Sequence, residues 1–405
     1  MRGRPRVGAQ GNAPLAVAML DVHADRLASV IDELTDERER EIEVTPFSYG
    51  ELYSELSIAL TQRSPKYDVV SLDDAWIPQF ASFLTTVDLD GDMSDLIVPI
   101  AMKLSRYPDN ADPCGHPWLG DSQFFATRPI WIAESGAAEP VTWDETVEAA
   151  NSVNASLEAE QAIGGYAIST LSSQSLVESF LPVLRGCGTD LIDPETSVPQ
   201  LDTPAALEAV TIFQQLANSG PTESAATGES SNIERFQIGD VAMMSNFWAS
   251  SLLSTSEVET DRDSGPISCA MQPAQPGFER RSLSGVWIAG VPTGSEQPEQ
   301  AITFLDWLLD SSTQRALLEV GLPPVLASHY GDGELVAAQP HLPELLDLLD
   351  RSTPRARSPY YVQLELLLAT ELEAMLEGVQ SGQEAVRNAN IAMREFLARE
   401  GVLEL

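Results

Sequence analysis

Tyr67-Asp68-Val69-Val70-Ser71-Leu72-Asp73-Asp74-Ala75-Trp76-Ile77-Pro78 is a short apolar run that ends in two carboxylates and an indole. The β-branched and apolar residues from Val69 to Leu72 predict a buried strand. In open α/β sheets ligands bind beyond the carboxyl ends of the strands, and Asp73, Asp74 and Trp76 fall there. The carboxylates accept hydrogen bonds from hydroxyls, while the indole offers a flat apolar face. Ligands with many hydroxyls and apolar ring faces need that pairing of groups. A structural alternative stands beside it: one Asp caps a helix starting near Trp76, and the indole belongs to the core.

Outward from this segment the chain alternates between strand and helix patterns. Leu15 to Leu20 predicts a first strand, and Asp25 to Arg40 places Leu27, Val30, Ile31 and Leu34 on one helical face. Ile42 and Val44 flank Glu43 in a second strand; Tyr49 to Leu60 aligns Leu52, Leu56 and Leu60 in a second helix. This β-α-β-α-β order requires parallel pairing with crossover helices. Downstream, Tyr107-Pro108 through Pro117-Trp118-Leu119-Gly120 is punctuated by Pro, Gly and Asp and predicts a linker or crossing. Phe124 and Phe125 predict a strand after it. Thr142 and Glu145 have capping-box spacing, which makes Trp143 a structural residue. Helices are predicted over Ser175 to Leu184 and Pro204 to Leu216, and a polar loop over Ser219 to Ser231. A glycine turn at Gly239 leads into a buried strand, Val241 to Met244, and Leu283 to Val291 predicts another. Gln297 to Glu319 reads as one amphipathic helix stopped by Gly321-Leu322-Pro323-Pro324. Gln363 to Gly378 and Gln383 to Arg399 read as closing helices.

The length of 405 residues exceeds one compact core and implies two lobes. Charge is extreme, with 61 acidic residues against 23 basic ones and a formal net charge of -38. Lys66 and Lys103 are the only lysines. Such a surface repels nucleic acid and anionic membranes, so neither is an expected partner. A salt-rich habitat and a GC-rich genome with an acidic secretome both account for it. No apolar run approaches the roughly 20 residues that cross a bilayer, so the chain is expected to be soluble. Cys114, Cys187 and Cys269 are far apart, show no metal spacing and read as buried thiols without a disulfide. Arg2, Arg4 and Arg6 precede a short apolar stretch, and residues 1–14 read as a disordered tail. The pattern contains no glycine-rich phosphate loop, zinc-binding histidine pair or nucleophile elbow. His23, His116, His329 and His341 are scattered. Catalytic residues, metal sites and cofactors are accordingly not expected.

Several segments, taken together and in order, resemble the extracellular solute-binding proteins of ABC importers, in the branch that includes maltose-binding protein. They are Tyr67 to Pro78, Pro140 to Glu145, Arg235 to Met244 with Trp248, Leu283-Ser284-Gly285-Val286-Trp287, Gly321 to Pro324, and Arg357-Ser358-Pro359-Tyr360-Tyr361 with the closing helices. The resemblance covers residues 15–400. It implies an α/β protein with the two-lobe, type II periplasmic-binding-protein fold, each lobe a mixed sheet flanked by helices, with a hinge between them. The implied N-terminal lobe is 15–119 plus 288–330, and the C-terminal lobe is 120–287 plus 331–405. Two departures are visible: no signal or lipoprotein cysteine, and an irregular Ser105 to Asp121 where the family has a tyrosine- and glycine-rich segment.

A cleft that recognises sugar needs aromatic platforms and charged or amide hydrogen-bonding groups. The resemblance puts Asp74 and Trp76, beside Asp73, in the N-lobe contact loop. His23, in a loop after the first strand, would face the same cleft; a solvated loop histidine is the alternative. Asp121 and Gln123 follow the first crossing and reach ligand or cap turns. Asn246 and Trp248 end a second-lobe strand, and Gly285 and Trp287 lie near a crossing. Arg357, Tyr360 and Tyr361 match the C-terminal contact segment, with a structural ion pair as the rival role for Arg357. Gln174 joins them at a helix start, while Trp131 and Trp307 read as packing. The function implied is a monomeric, extracytoplasmic binding component that captures a sugar or oligosaccharide and delivers it to the membrane permease subunits of an ABC importer. The alternatives are a ligand-sensing module of a receptor system and a carboxylate-dependent glycan-cleaving enzyme.

Overall fold

The computed structural model describes residues 13–34, 41–89, 91–158, 163–220, 229–254 and 265–404. The tail predicted over 1–14 falls almost entirely outside them. Eight strands are seen: β1 (Leu15–Leu20), β2 (Ile42–Phe47), β3 (Val69–Asp73), β4 (His116–Thr127), β5 (Gly164–Ala167), β6 (Val241–Trp248), β7 (Ser268–Ala270) and β8 (Leu283–Gly290). They join in the order β2-β1-β3-β8-β4-β6-β5, with β7 on β4. β1 pairs in parallel with β2 and β3, as the alternating pattern requires. β8 runs antiparallel to both β3 and β4, and β4 antiparallel to β6. The fold is thus α/β, two helix-flanked half-sheets meeting along the long β8–β4 pair. Every residue of β3, β4 and β8 is buried, as expected for strands covered on both faces.

β4 replaces the linker predicted before Asp121. Its first residues, His116 to Gly120, are buried and pair with β8 from Ala289 to Val286. Proline and glycine are tolerated there for local reasons. Pro117 sits at a register shift that ends at Leu119. A Cβ on Gly120 would stand 2.7 Å from the Pro324 carbonyl oxygen, so only glycine lets the backbones approach. A second shift lies between Phe124 and Ala126. The two irregularities bracket Asp121, in keeping with the use of bulges to aim side chains beside sites.

Helix limits differ from the predicted ones by more than two residues in three places. The first helix is Asp21–Leu34, following β1 without a loop, so His23 lies in its first turn; the predicted extension over 35–40 lies outside the described residues. The single helix predicted over 297–319 is two, Pro298–Leu309 and Ser311–Glu319, because Asp310 is extended (φ −57°, ψ 136°). Helix Glu229–Gln237 takes the end of the predicted 219–231 loop, of which 221–228 are outside the described residues. The closing helices are Tyr361–Leu376 and Gly382–Arg399.

Thr142 and Glu145 form the reciprocal cap: Thr142 Oγ1 accepts from the Glu145 amide at 3.2 Å, and Glu145 accepts from the Thr142 amide at 3.0 Å. Trp143 is fully buried, edge-on to Phe125. Trp307 stacks on Phe304, and Trp131 is buried. The three cysteines are free thiols. Among the described residues no helix is long and apolar enough to cross a membrane.

The backbone of β5 lies almost on the helix Trp143–Val153. A Cβ at Gly165 would stand 2.3 Å from the Ala150 carbonyl oxygen. Gly165→Ala is therefore expected to cost about 1–3 kcal/mol of stability by overpacking. Urea unfolding measures it, and an unchanged midpoint would show that the two backbones are not in contact.

Candidate ligand-binding cleft

A cavity of about 470 Å³ opens between the two half-sheets at the carboxyl ends of β1, β2, β3 and β6. One wall comes from Asp21, Val22, His23 and Arg26 after β1, Ser48 and Tyr49 after β2, and Asp73 at the end of β3. The other comes from Gln174 and Glu178 of helix Ser173–Gly186, Glu229 to Gln237, and Trp248 with the serines after it. Asp121, Gly285 and Trp287 of the paired β4 and β8 form the floor. Another cavity, about 450 Å³, is lined by Arg185, Phe278, Glu279 and Arg281. Its arginines are spent on Asp190, Glu279 and backbone carbonyls.

Of the residues singled out from sequence, His23, Asp73, Asp121, Gln174, Trp248, Gly285 and Trp287 line this cleft. Trp248 is the partly exposed ring among them. It lies over Gly285, where a Cβ would come within 2.4 Å of its ring, so glycine is what gives the indole its place. Trp287 is a buried wall, edge-on to His23 at 4.7 Å and to Trp76 at 5.9 Å. Burial, with the Arg26 charge adding to it, lowers the His23 pKa to about 3, so the ring is neutral. Asp121 accepts from the amides of Ser122 at 2.9 Å and Ser250 at 3.1 Å. Burial nevertheless raises its pKa to about 6.

The other seven do not line it. Asp74 turns back into the sheet and accepts from Ser284 Oγ at 2.9 Å and the Val286 amide at 3.0 Å. Its pKa is raised to about 6, by burial first, with Arg355 pulling against it. Trp76 is 1% exposed, packed on Tyr49, Tyr53 and Trp287; it is the core residue of the structural alternative, and Asp73 is the cap, accepting from the Ala75 amide at 2.9 Å. Gln123 and Asn246 bond each other at 2.7 Å behind the wall. Arg357 is the strut weighed against a ligand role: it bonds Asp109 and the Arg106 carbonyl and lies over Tyr107. Tyr360 packs on Phe396, and Tyr361 is buried beside Glu365.

Arg355, Glu178, Glu229 and Tyr49 were not anticipated. The Arg355 guanidinium is buried and shared among Asp73, Glu178 at 2.7 Å and Asp74 at 3.5 Å. Tyr49 donates to Asp73 at 2.9 Å, and Gln174 to Glu178 at 3.0 Å. Glu178 carried a signal in the sequence: a carboxylate within Leu176-Val177-Glu178-Ser179-Phe180-Leu181 is stable only when paired. Burial raises its pKa well above the usual carboxylate value, against the pull of Arg355. Glu229 faces Asn246 and Trp248, and burial, with Asp121 adding repulsion, pushes it up to about 7.

Removing Arg355 strands buried charges. Arg355→Met is expected to destabilise the fold by about 3–5 kcal/mol at pH 7.5, the usual cost of breaking a buried ion pair, and less at pH 5, where the carboxyls protonate. Equal losses at both pH values would refute the charge argument. In the intact protein Asp121 and Glu229 hold protons more tightly folded than unfolded. Their contribution is complete below the unfolded pKa of about 4 and lost as pH rises through 6 to 7. Stability of the ligand-free protein should therefore fall from pH 5 to 7.5, and Asp121→Asn with Glu229→Gln should flatten that slope. Denaturant unfolding across the range checks both.

The sequence model of the bacterial extracellular solute-binding proteins matches residues 24–315. A probable amino-acid ABC transporter periplasmic-binding protein of Sinorhizobium fredii is 21% identical over 405 residues, covering 96% of this chain and 90% of the relative. Among solved structures, maltose-bound MalE3 of T. maritima superposes with a TM-score of 0.84 at 22% identity, covering 95% of this chain and 99% of that one. A solute-binding protein of Agrobacterium radiobacter K84 in complex with ribitol gives a TM-score of 0.84 at 19% identity, with 95% and 98% covered. These likenesses establish the type II periplasmic-binding fold, and the family match spans well over half of the chain. The chain belongs to the bacterial extracellular solute-binding protein family.

Proposed function

We propose that this protein is the extracytoplasmic binding component of an ABC importer, that it captures a small sugar or polyol in the cleft, and that it presents the closed form to the permease subunits. No covalent step is involved. The observation that carries this reading is the cavity itself: two walls from different half-sheets, an indole over Gly285, and carboxylate and amide groups between them. Its volume of about 470 Å³ suits one or two sugar rings within the usual range for ligand pockets. Maltose and ribitol occupy the two structurally similar proteins, and the Sinorhizobium relative is named for amino acids. What these ligands share is small size and many hydrogen-bonding groups.

In this reading the lobes are 15–119 with 288–330 and 120–287 with 331–405, and they close as a hinge about the β4–β8 pair. The protein works as a monomer without nucleic acid. Asp73, Asp121 and Gln174 hold the ligand by hydrogen bonds, and Trp248 supplies the stacking face.

Titration with mono- and disaccharides and alditols, followed by tryptophan emission and melting temperature, tests the proposal. A bound ligand should shift both, and a flat response to the whole panel would end the carbohydrate reading. Trp248→Ala is expected to weaken binding about 10- to 100-fold, as loss of an aromatic platform does. Gly285→Ala should weaken it too, by displacing the same ring, with little change in unfolding midpoint.

A further inference from the structure

The cleft is acidic in a different sense from the surface. Surface carboxylates are solvated, and their excess governs solubility and self-repulsion. Three of those in the cleft are removed from water, Glu178 at 0% exposed, Asp73 at 3% and Asp121 at 5%, while Glu229 is half-buried and Asp21 is exposed. Five carboxylates, Asp21, Asp73, Asp121, Glu178 and Glu229, line the cavity, and among the described residues one guanidinium, Arg26, lines it with them. Arg355 behind the wall is already divided among Asp73, Asp74 and Glu178. Arg26 spends an N–H on the Gly321 carbonyl at 3.0 Å and reaches Asp121 through space. The wall is therefore short of positive charge around Asp121 and Glu229.

Resting on the binding-protein reading above, we propose that the cleft takes a cationic solute, an amine-bearing sugar or polyol, whose ammonium group lies between Asp121 and Glu229 beside the Trp248 indole. A neutral hydroxyl donates a hydrogen bond to a carboxylate but leaves its charge in place. An ammonium group donates and neutralises together, and an indole face attracts cations. His23 supplies a second, independent observation. It is 4% exposed, lines the cavity, and its Nδ1 has no hydrogen-bond partner. Because the ring is neutral, it adds a hydrogen-bonding nitrogen without opposing a cation. A ligand carboxylate would meet five carboxylates against the one lining guanidinium of Arg26, which disfavours zwitterions.

The raised pKa values of Asp121 and Glu229, about 6 and about 7, supply a signature. At pH 6.5 the empty cleft holds part of a proton on this pair. Asp21, Asp73 and Glu178 add to the negative field there, while Arg26 and Arg355 oppose it. An arriving ammonium drives ionisation, so binding releases protons to the buffer. A neutral sugar has no such effect.

The test uses matched probes: glucosamine against N-acetylglucosamine, the glucosamine disaccharide against its diacetylated form, glucose and maltose as unsubstituted sugars, and putrescine as a cation without hydroxyls. Calorimetric titrations at pH 6.5 are repeated in phosphate and imidazole buffers to count protons. The expected result is that the free amines bind about ten-fold or more tighter than their acetylated partners and release protons. Asp121→Asn with Glu229→Gln should abolish both differences. Equal or tighter binding of neutral sugars, without proton release, overturns the cationic assignment and leaves the carbohydrate reading intact. Binding of putrescine but no sugar keeps the charge assignment and overturns the carbohydrate reading. No binding by any probe overturns both.

Discussion

One buried guanidinium organises the centre of this molecule. Arg355 reaches inward from the segment before the closing helices and meets Asp73 and Asp74, 282 and 281 residues earlier, together with Glu178. Burying an arginine costs several kcal/mol unless its donors are used and its charge is matched. Here the match is more than complete, because three carboxylates surround one cation. The excess is absorbed by further hydrogen bonds. Tyr49 donates to Asp73, Gln174 to Glu178, and Ser284 and Val286 to Asp74. The network joins β3, β8, the helix Ser173–Gly186 and the segment that carries Arg355 before the closing helices, so it sets how these elements meet where the cleft lies.

Aromatic packing does the complementary task. Trp76, Tyr49, Trp287, His23 and Trp118 form a chain of tilted and edge-on contacts under the cavity, with centroids 4.7 to 6.3 Å apart where they touch. Trp118 also donates to Ser71 at 3.1 Å. Rings so held are support: they fix Trp287 and His23 against the cavity, and Trp248, above Gly285, is the partly exposed indole of the lining. Three of the seven tryptophans, Trp131, Trp143 and Trp307, are packing elsewhere in the core.

Much of the architecture was readable from local pattern. Hydrophobic period and turn residues located β1, β2, β3, the buried part of β6 and β8, and the capping box at Thr142, because each depends on neighbours a few residues away. β4 was not readable over its first half. Pro117 and Gly120 are breakers by composition, and they fit only because a register shift and the close Pro324 backbone accommodate them. The break at Asp310 was hidden for a similar reason: the apolar pattern continues across it while the backbone turns.

For the site, residue chemistry along the chain was enough to mark strand ends rich in carboxylate and indole as the place to look. Which of them point into the cavity was settled by packing. Asp73 and Asp74 are adjacent and alike, yet one lines the cleft and the other staples β8. Arg355 and Arg357 are two residues apart, and the first closes a buried cluster while the second braces the surface near Asp109. A side chain's direction at the end of a strand depends on turn geometry and on partners hundreds of residues distant. No window of neighbouring residues contains those partners, whereas the folded chain places them within hydrogen-bonding range.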